Sequence, residues 1–342
     1  MPEPTQQPSV SIIMPVFNAE HTLDVALASA TTQSLPSIEI VCVDDGSTDA
    51  SREILDRWAA RDARIHILAQ ANSGVSASRN LALDRVQGEF VLFLDSDDWI
   101  EEHTAELLLA RARTHGSDIV TYGGVCFPGA GWPQRYLDTR DFEYDDTRAA
   151  LLGEVGAYPL VNKLVKRSLV EDHQLRFDTA LALGEDHAFW FCAFPHARKV
   201  SFVADKLYHY RWNETGSAVQ RVGSQNSRVW SHLEMVRAVC EYWRAQEFFS
   251  GYEPQFLAWL AELLFRDATM LPRSERELFA MALGVEMQRS GLSAHLSAAD
   301  ADTQYTVHAM LQASGIVAKL RLEAQNGGLA SLGSMLRRRL GR

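Results

Sequence analysis

Residues 90–99 read Phe90-Val91-Leu92-Phe93-Leu94-Asp95-Ser96-Asp97-Asp98-Trp99. The unbroken apolar run is too short to span a membrane and suits a strand buried on both faces. It stops abruptly at Asp95, Ser96, Asp97 and Asp98. Carboxylates crowded at the end of a buried strand repel one another and lose hydration, which does nothing for folding. A hard divalent cation relieves both problems: Mg²⁺ or Mn²⁺ takes one or two carboxylates and fills its other places with phosphate oxygens. The plainer alternative is an acidic turn capping a helix that starts near Glu101, since Asp is a good N-cap.

The rest of the chain decides between them. Working back from Phe90, short apolar strands are expected at Val10–Met14, Ile38–Val43 and Arg64–Leu68. Helices are expected at about Glu20–Thr32 (with Asn18 as its cap), Ala50–Arg61 and Val75–Val86. Working forward, a helix at Glu101–Thr114 and a strand at Asp118–Tyr122 follow. Strands alternating with helices of this length give βαβ units and a parallel sheet. The loops after its strands then emerge on one edge. Pro15–Asn18, Asp44–Ser47 and Asp95–Asp97 line one crevice at the carboxyl ends, the usual ligand position in an open α/β sheet.

The crevice lacks both common phosphate loops, since neither G-x-G-x-x-G nor G-x-x-x-x-G-K-[ST] follows the first strand. Its first loop is P-V-F-N-A-E, which cannot wrap phosphates in glycine amides. Phosphate charge would instead be met by a metal on Asp95-x-Asp97. Asp44 and Asp45 suit hydroxyl or base N–H donors, and Phe17 suits the face of a base. The implied ligand is a nucleoside diphosphate carrying a further group.

Composition sets the outer bounds. The 342-residue chain is 46% hydrophobic and 23% charged, ordinary for a soluble globular protein. Its net charge of −11 argues against a general nucleic-acid binder. Cys42, Cys126, Cys192 and Cys240 are scattered without a C-x-x-C pair, which fits a reducing compartment better than a disulfide framework or zinc site. With no signal peptide and no transmembrane-length apolar stretch, a cytoplasmic protein is expected, one that can still lie against the inner face of a membrane.

The blocks V-S-I-I-M-P-V-F-N-A-E, I-V-C-V-D-D-G-S-T-D, A-N-S-G-V-S-A-S-R-N and F-V-L-F-L-D-S-D-D-W, in that order, resemble glycosyltransferase family 2. The resemblance implies a GT-A fold, α/β and Rossmann-like, and an inverting transfer of one sugar from a nucleotide-diphosphate donor, first among them a UDP-sugar. The acceptor would be a hydroxyl of a glycan or lipid-linked molecule, in cell-surface polysaccharide synthesis, with Mn²⁺ or Mg²⁺ as cofactor. By the same resemblance Pro15, Phe17, Glu20 and Asp45 hold base and ribose, and Ser73, Gly74 and Arg79 close the donor side. Asp95 and Asp97, with Ser96 between them, serve the sugar nucleotide and metal. Arg79 has a second reading, as a surface helix arginine pairing with Asp95 or Asp97.

Further along, Asn162-Lys163-Leu164-Val165-Lys166-Arg167 and Gly184-Glu185-Asp186-His187-Ala188-Phe189 resemble two later segments of the family. The second puts two acids at the positive end of an apolar helix. An inverting displacement needs its base across the sugar from the leaving diphosphate, on a different segment from Asp95 and Asp97. The family's E-D pattern points to Asp186 for that role, with Glu185 orienting hydroxyls. Val200–Val203 and Leu207–Trp212 read as closing strands. Within the latter, Arg211 (with Ser217 beyond it) is placed to meet a diphosphate. His209 is open to two readings, a third metal ligand or a packed ring. Residues 123–150, rich in glycine and aromatic residues such as Trp132, read as an irregular acceptor loop or one packed by its own rings.

Beyond a boundary near Gly223 the pattern turns helical, at Gln225–Glu247, Glu253–Met270, Ser274–Arg289 and on to about Ala324. The expected organisation is therefore a catalytic domain over 1–222 and a helical accessory region over 223–342. The tail from Leu329 to Arg342 carries a leucine stripe beside an arginine cluster. It can be a membrane-surface anchor, a solvated end or a homo-oligomer contact.

Rival readings each require a feature this sequence lacks. A processive polymer synthase, for one, would carry Q-x-x-R-W and membrane helices, whereas Tyr208 stands in the glutamine's place and no span is present. A sugar-1-phosphate nucleotidyltransferase would need a glycine-rich first loop, and a degenerate glycan-binding partner would have lost Asp97 or Asp186. The first loop is not glycine-rich, and Asp97 and Asp186 are both present.

Overall fold

The computed structural model describes residues 7–129, 137–155, 162–212 and 225–312. The chain divides into two compact units: Met1–Ala180 with Glu185–Thr215, and Leu181–Gly184 with Gly216–Arg342.

The first unit is built on a sheet. Strands β1 (Val10–Val16), β2 (Ile38–Asp44) and β3 (Ile65–Ala69) run parallel, and β4 (Phe90–Phe93) runs parallel to β1 on its other side. Helices α1 (Leu23–Thr31), α2 (Ser51–Ala59) and α3 (Val75–Leu83) make the crossovers. Every residue of β1, β2 and β4 is buried, so these strands read as mostly apolar runs rather than alternating ones, with Ser11 of β1 donating to Glu39 of β2 inside them.

The sheet is mixed, not wholly parallel. The order is β3-β2-β1-β4-β8-β6-β9-β5, with β7 also on β9. Here β5 is Trp99–Ile100, β6 Ile119–Phe127, β7 Phe142–Tyr144, β8 Lys163–Lys166 and β9 Val200–Arg211. Strand β8 runs antiparallel between β4 and β6, and β5 and β7 run antiparallel to β9.

Three local expectations are corrected. First, Val200–Arg211 is a single strand, and β6 runs on to Phe127, so residues 123–127 are strand rather than loop. Its register shifts at Gly123 and Gly124, where an added Cβ would meet Asp205 O at 2.9 Å and Tyr208 O at 2.5 Å. Secondly, Asn18 caps no helix: it sits at φ 49° and α1 starts at Leu23. Thirdly, the acidic turn is no cap either. Strand β5 intervenes, and α4 (Thr104–His115) begins after His103. The plain reading of Asp95–Asp98 therefore fails on geometry.

After β7 come α5 (Thr147–Ala150), α6 (Arg167–Asp172) and α7 (Glu185–Ala193). Helix α7 anchors through Phe189, stacked on Phe177 at 4.1 Å between centroids, and both rings meet Phe93 of β4 edge-on. That aromatic cluster fixes the first turn of α7 relative to the end of β4, because rings in contact leave few alternative packings.

In the second unit, α8 (Gln225–Ala245), α9 (Glu253–Met270), α10 (Arg273–Arg289) and α11 (Ala301–Gln312) surround buried Trp243 and Trp259. Trp230 is half-buried against Phe279. The expected boundary at Gly223, Trp132, Ser217 and the tail lie outside the described residues.

Candidate active site

The three loops after β1, β2 and β4 meet, and their contacts can be followed residue by residue. Pro15 is buried within β1 beside Val43, and Phe17 is half-buried at its mouth. The Asn18 side chain accepts from Thr48 N at 2.8 Å, and its own N–H donates to Ser47 Oγ at 3.1 Å. Glu20 accepts from Ala50 N at 3.0 Å, while its backbone N–H donates to Asp49. It thereby occupies the amide-rich start of α2, where a negative charge is favoured. Asp44 accepts from Ser47 N at 2.9 Å.

Asp45 is buried and carries a full load. One carboxylate oxygen accepts from Gln70 Nε2 (2.7 Å) and Ser73 N (2.8 Å), the other from Gly74 N (2.9 Å). Gly74, at φ 90°, lets that loop turn its amides toward Asp45 just before α3 begins. In this arrangement Asp45 positions the exposed Ser73–Gly74 loop.

At the end of β4 the carboxylates part company. Asp97 is exposed, Asp95 half-buried and Asp98 buried, at 1% exposure. Asp98 accepts from Tyr208 Oη and from Arg211 N, each at 2.6 Å. Burial, then repulsion from Asp97 and Asp95, pushes its carboxyl well above the usual carboxylate range. It clamps β9 to the loop and is not presented to a ligand. The Ser96 carbonyl accepts from Thr22 Oγ1 at 2.9 Å. Arg211 donates from Nε to the Asp97 carbonyl (2.8 Å) and lies 5.4 Å from the centre of the Trp99 ring.

Arg79 is a buried bridge, not a surface residue. It is 3% exposed, with its guanidinium 2.9 Å from Asp95 Oδ1 and 3.1 Å from Glu185 Oε1, and 5.1 Å from the centre of the Phe177 ring. Its pairing with Asp95 was expected; its hold on Glu185 was not. Next to Glu185, Asp186 opens α7 and accepts from His187 N at 2.8 Å. Burial raises the carboxyl of Asp186 above its ordinary value, and Arg79 is the strongest influence opposing that rise. Glu185 is raised too, by burial and then by Asp186.

His209 takes the packed reading. Its Nε2 lies 2.6 Å from Glu101 Oε1, and its ring stacks on Trp99 at 4.8 Å between centroids. Among the described residues no three His, Cys, Asp or Glu side chains form a ready-made ion site. Exposed Asp97 beside half-buried Asp95 is nevertheless a hard-oxygen donor set. It matches a divalent ion that takes one or two carboxylates and completes its shell from a bound diphosphate.

The chain shares its first half with known proteins. The family model described as Glycosyl transferase family 2 matches residues 11–174. An uncharacterized glycosyltransferase of Haemophilus influenzae is 34% identical over 184 residues, covering 54% of this chain and 70% of that protein. The chain belongs to glycosyltransferase family 2. EpsH of Bacillus subtilis is 36% identical over 224 residues, 63% of this chain and 64% of EpsH. The match thus spans just under two thirds of that relative. Residues 1–349 of Staphylococcus aureus TarS, solved in complex with UDP-GlcNAc, superpose with a TM-score of 0.58 at 22% identity, covering 90% of this chain and 92% of that one. That likeness gives the GT-A fold.

The roles of several groups near this candidate site are visible only in the fold. Tyr208 and Asp98 form the clamp just described, and Lys163 with Asn162 lies buried behind α7. The sequence signals for Lys163 are its place in the family-like segment Asn162–Arg167 and its position inside the largely apolar run Leu160-Val161-Asn162-Lys163-Leu164-Val165.

Proposed function

We propose that this chain is a metal-dependent inverting glycosyltransferase that moves one sugar from a nucleotide-diphosphate donor, first among them a UDP-sugar, to a hydroxyl of a glycan or lipid-linked acceptor. The observation that carries this reading is the Asp95–Arg79–Glu185 bridge. One buried side chain ties the carboxylate loop on the donor side to the first turn of the helix bearing Asp186.

In this reading Asp97, with Asp95, would hold the ion, which when bound would supply positive charge to the departing diphosphate. Asp186 takes the proton of the acceptor hydroxyl as that oxygen attacks the anomeric carbon. The new C–O bond forms as the bond to the diphosphate breaks on the opposite face, so the anomeric configuration inverts. Glu185, fixed by Arg79, orients hydroxyls beside the base. The Asp45-anchored Ser73–Gly74 loop and Phe17 frame the nucleoside.

Calorimetry of UDP binding with and without Mn²⁺ tests the donor half. Asp97→Asn should lower Mn²⁺-dependent affinity by at least about tenfold, a loss of one charge-assisted contact of about 1.4 kcal/mol. Binding that is equally tight in EDTA overturns the metal assignment. NMR of the product's anomeric proton tests inversion independently.

Among the described residues no helix is long and apolar enough to cross a membrane. For the arginine-rich tail, residues 329–342, we propose contact with an anionic membrane surface at its cytoplasmic face. Sedimentation with acidic liposomes should fall when the tail is removed and when salt is raised. Equal partitioning of the two forms rejects it.

A further inference from the structure

Lys163 occupies β8, between β4 and β6, and is 1% exposed. A buried ammonium is costly unless charge and hydrogen bonds around it compensate. Its Nζ donates to Asn162 Oδ1 at 3.3 Å, and Asn162 is itself fixed by donating to the Tyr122 carbonyl. The same Nζ lies 5.4 Å from the centre of the Trp190 ring. Trp190 stands four residues after Asp186 on α7, and positions i and i+4 share a helix face. The amine therefore lies toward the side of α7 that carries Asp186.

The charged and titratable groups around Asp186 are Arg79 from α3, Asp95 from the loop after β4, Lys163 from β8, Tyr210 from β9, and Glu185 and His187 from α7 itself. Two acids there favour protonation of Asp186, so a base at this position needs cations to stay ionised. Arg79 is already shared between Asp95 and Glu185.

We propose that Lys163 is a positioning residue for the general base, its buried ammonium supplying the positive charge that keeps the Asp186 carboxylate ready to accept a proton. This rests on the reading of Asp186 as the base. Burial pulls Lys163 down to about 7, with the charge of Asp186 opposing the fall. Lys163 therefore gains its charge as the pH falls below neutrality, the range in which a buried carboxyl would otherwise take up a proton.

The test is the pH profile of kcat/KM for wild type, Lys163→Met, Lys163→Gln and Lys163→Arg, with melting temperatures and donor affinities measured alongside. Without the charge the acidic limb should move up by about one unit or more, which costs about tenfold in rate on that limb. Activity should recover toward wild type as the pH is raised above the new limb, with donor affinity unchanged. Lys163→Arg should keep the limb near its original position. Lys163→Gln stands in if the methionine variant fails to fold, since it retains a donor for Asn162.

A loss of rate that is uniform across pH, or a limb that does not move, overturns the assignment. Asp186→Asn in the same assay separates the two claims. If it stays fully active, the reading of the base and the role of Lys163 both fall. If it is inactive while the neutral Lys163 variants keep the wild-type profile, only the role of Lys163 falls.

Discussion

Asp186→Asn is expected to lower turnover by roughly 10²–10⁴-fold, the usual cost of removing a general base. Asparagine keeps the shape of the side chain and can still accept from His187 N, so the first turn of α7 should hold. Affinity for the donor should stay near wild type, because the proposed donor contacts lie on the loops after β1, β2, β3 and β4 and not on α7. The wild-type profile should show an acidic limb above the ordinary carboxylate range, since burial raises the Asp186 carboxyl. That limb should vanish from the residual activity of the variant. Glu185→Gln is the control: if it abolishes turnover while Asp186→Asn does not, the two acids exchange roles. Single-turnover kinetics with saturating donor make the comparison free of product release.

Arg79→Met is expected to destabilise the first unit by about 3–5 kcal/mol, the range for removing one partner of a buried ion pair. The side chain is 4% exposed, and the partners Asp95 and Glu185 are 26% and 17% exposed. Solvent therefore screens the stranded carboxylates only in part. For a unit of this size the melting temperature should fall by about 10 °C.

The penalty should depend on pH, and its sign follows from Glu185. Its carboxyl is already raised in the folded state, and Arg79 is among the influences holding it down. Without Arg79 the folded value rises further above the unfolded one. The folded variant then binds a proton that the unfolded chain has released, and its stability falls as pH rises through that window. Melting measured at pH 5 and pH 8 should show the smaller penalty at pH 5. A penalty below about 1 kcal/mol, or one indifferent to pH, rejects the bridge as a stabilising contact.

Most of the catalytic half was legible in the sequence, for identifiable reasons. Strands buried on both faces leave predominantly apolar runs, broken here only by Ser11 in β1 and by Glu39 and the terminal Asp44 in β2, so β1, β2 and β4 could be found within a residue or two. Parallel strands bring their carboxyl ends to one edge, so the placing of the loops that carry Asn18, Asp45 and Asp95 along that edge follows from the strand pattern alone. The reversed strand β8 was not legible as such, because Lys163-Leu164-Val165-Lys166 has the same apolar look in either direction. The dense hydrogen bonding of Asp45 was hidden for a related reason. A side chain that holds a loop and one that holds a ligand draw on the same residue type.

The sequence by itself determined the class of fold, the single edge on which the polar loops gather, and the likeness to family 2 that points to Asp186. It could do so because these features depend on local periodicity and on residues close together in the chain. Only the tertiary structure divided the acidic cluster into exposed Asp97, bridged Asp95 and buried Asp98. Only it joined Arg79 to Glu185 and set Lys163 against Trp190. Each of those pairings links segments far apart in sequence. The environment that tunes a carboxylate is the sum of burial and charge from several elements at once, and that sum exists only after the chain has packed.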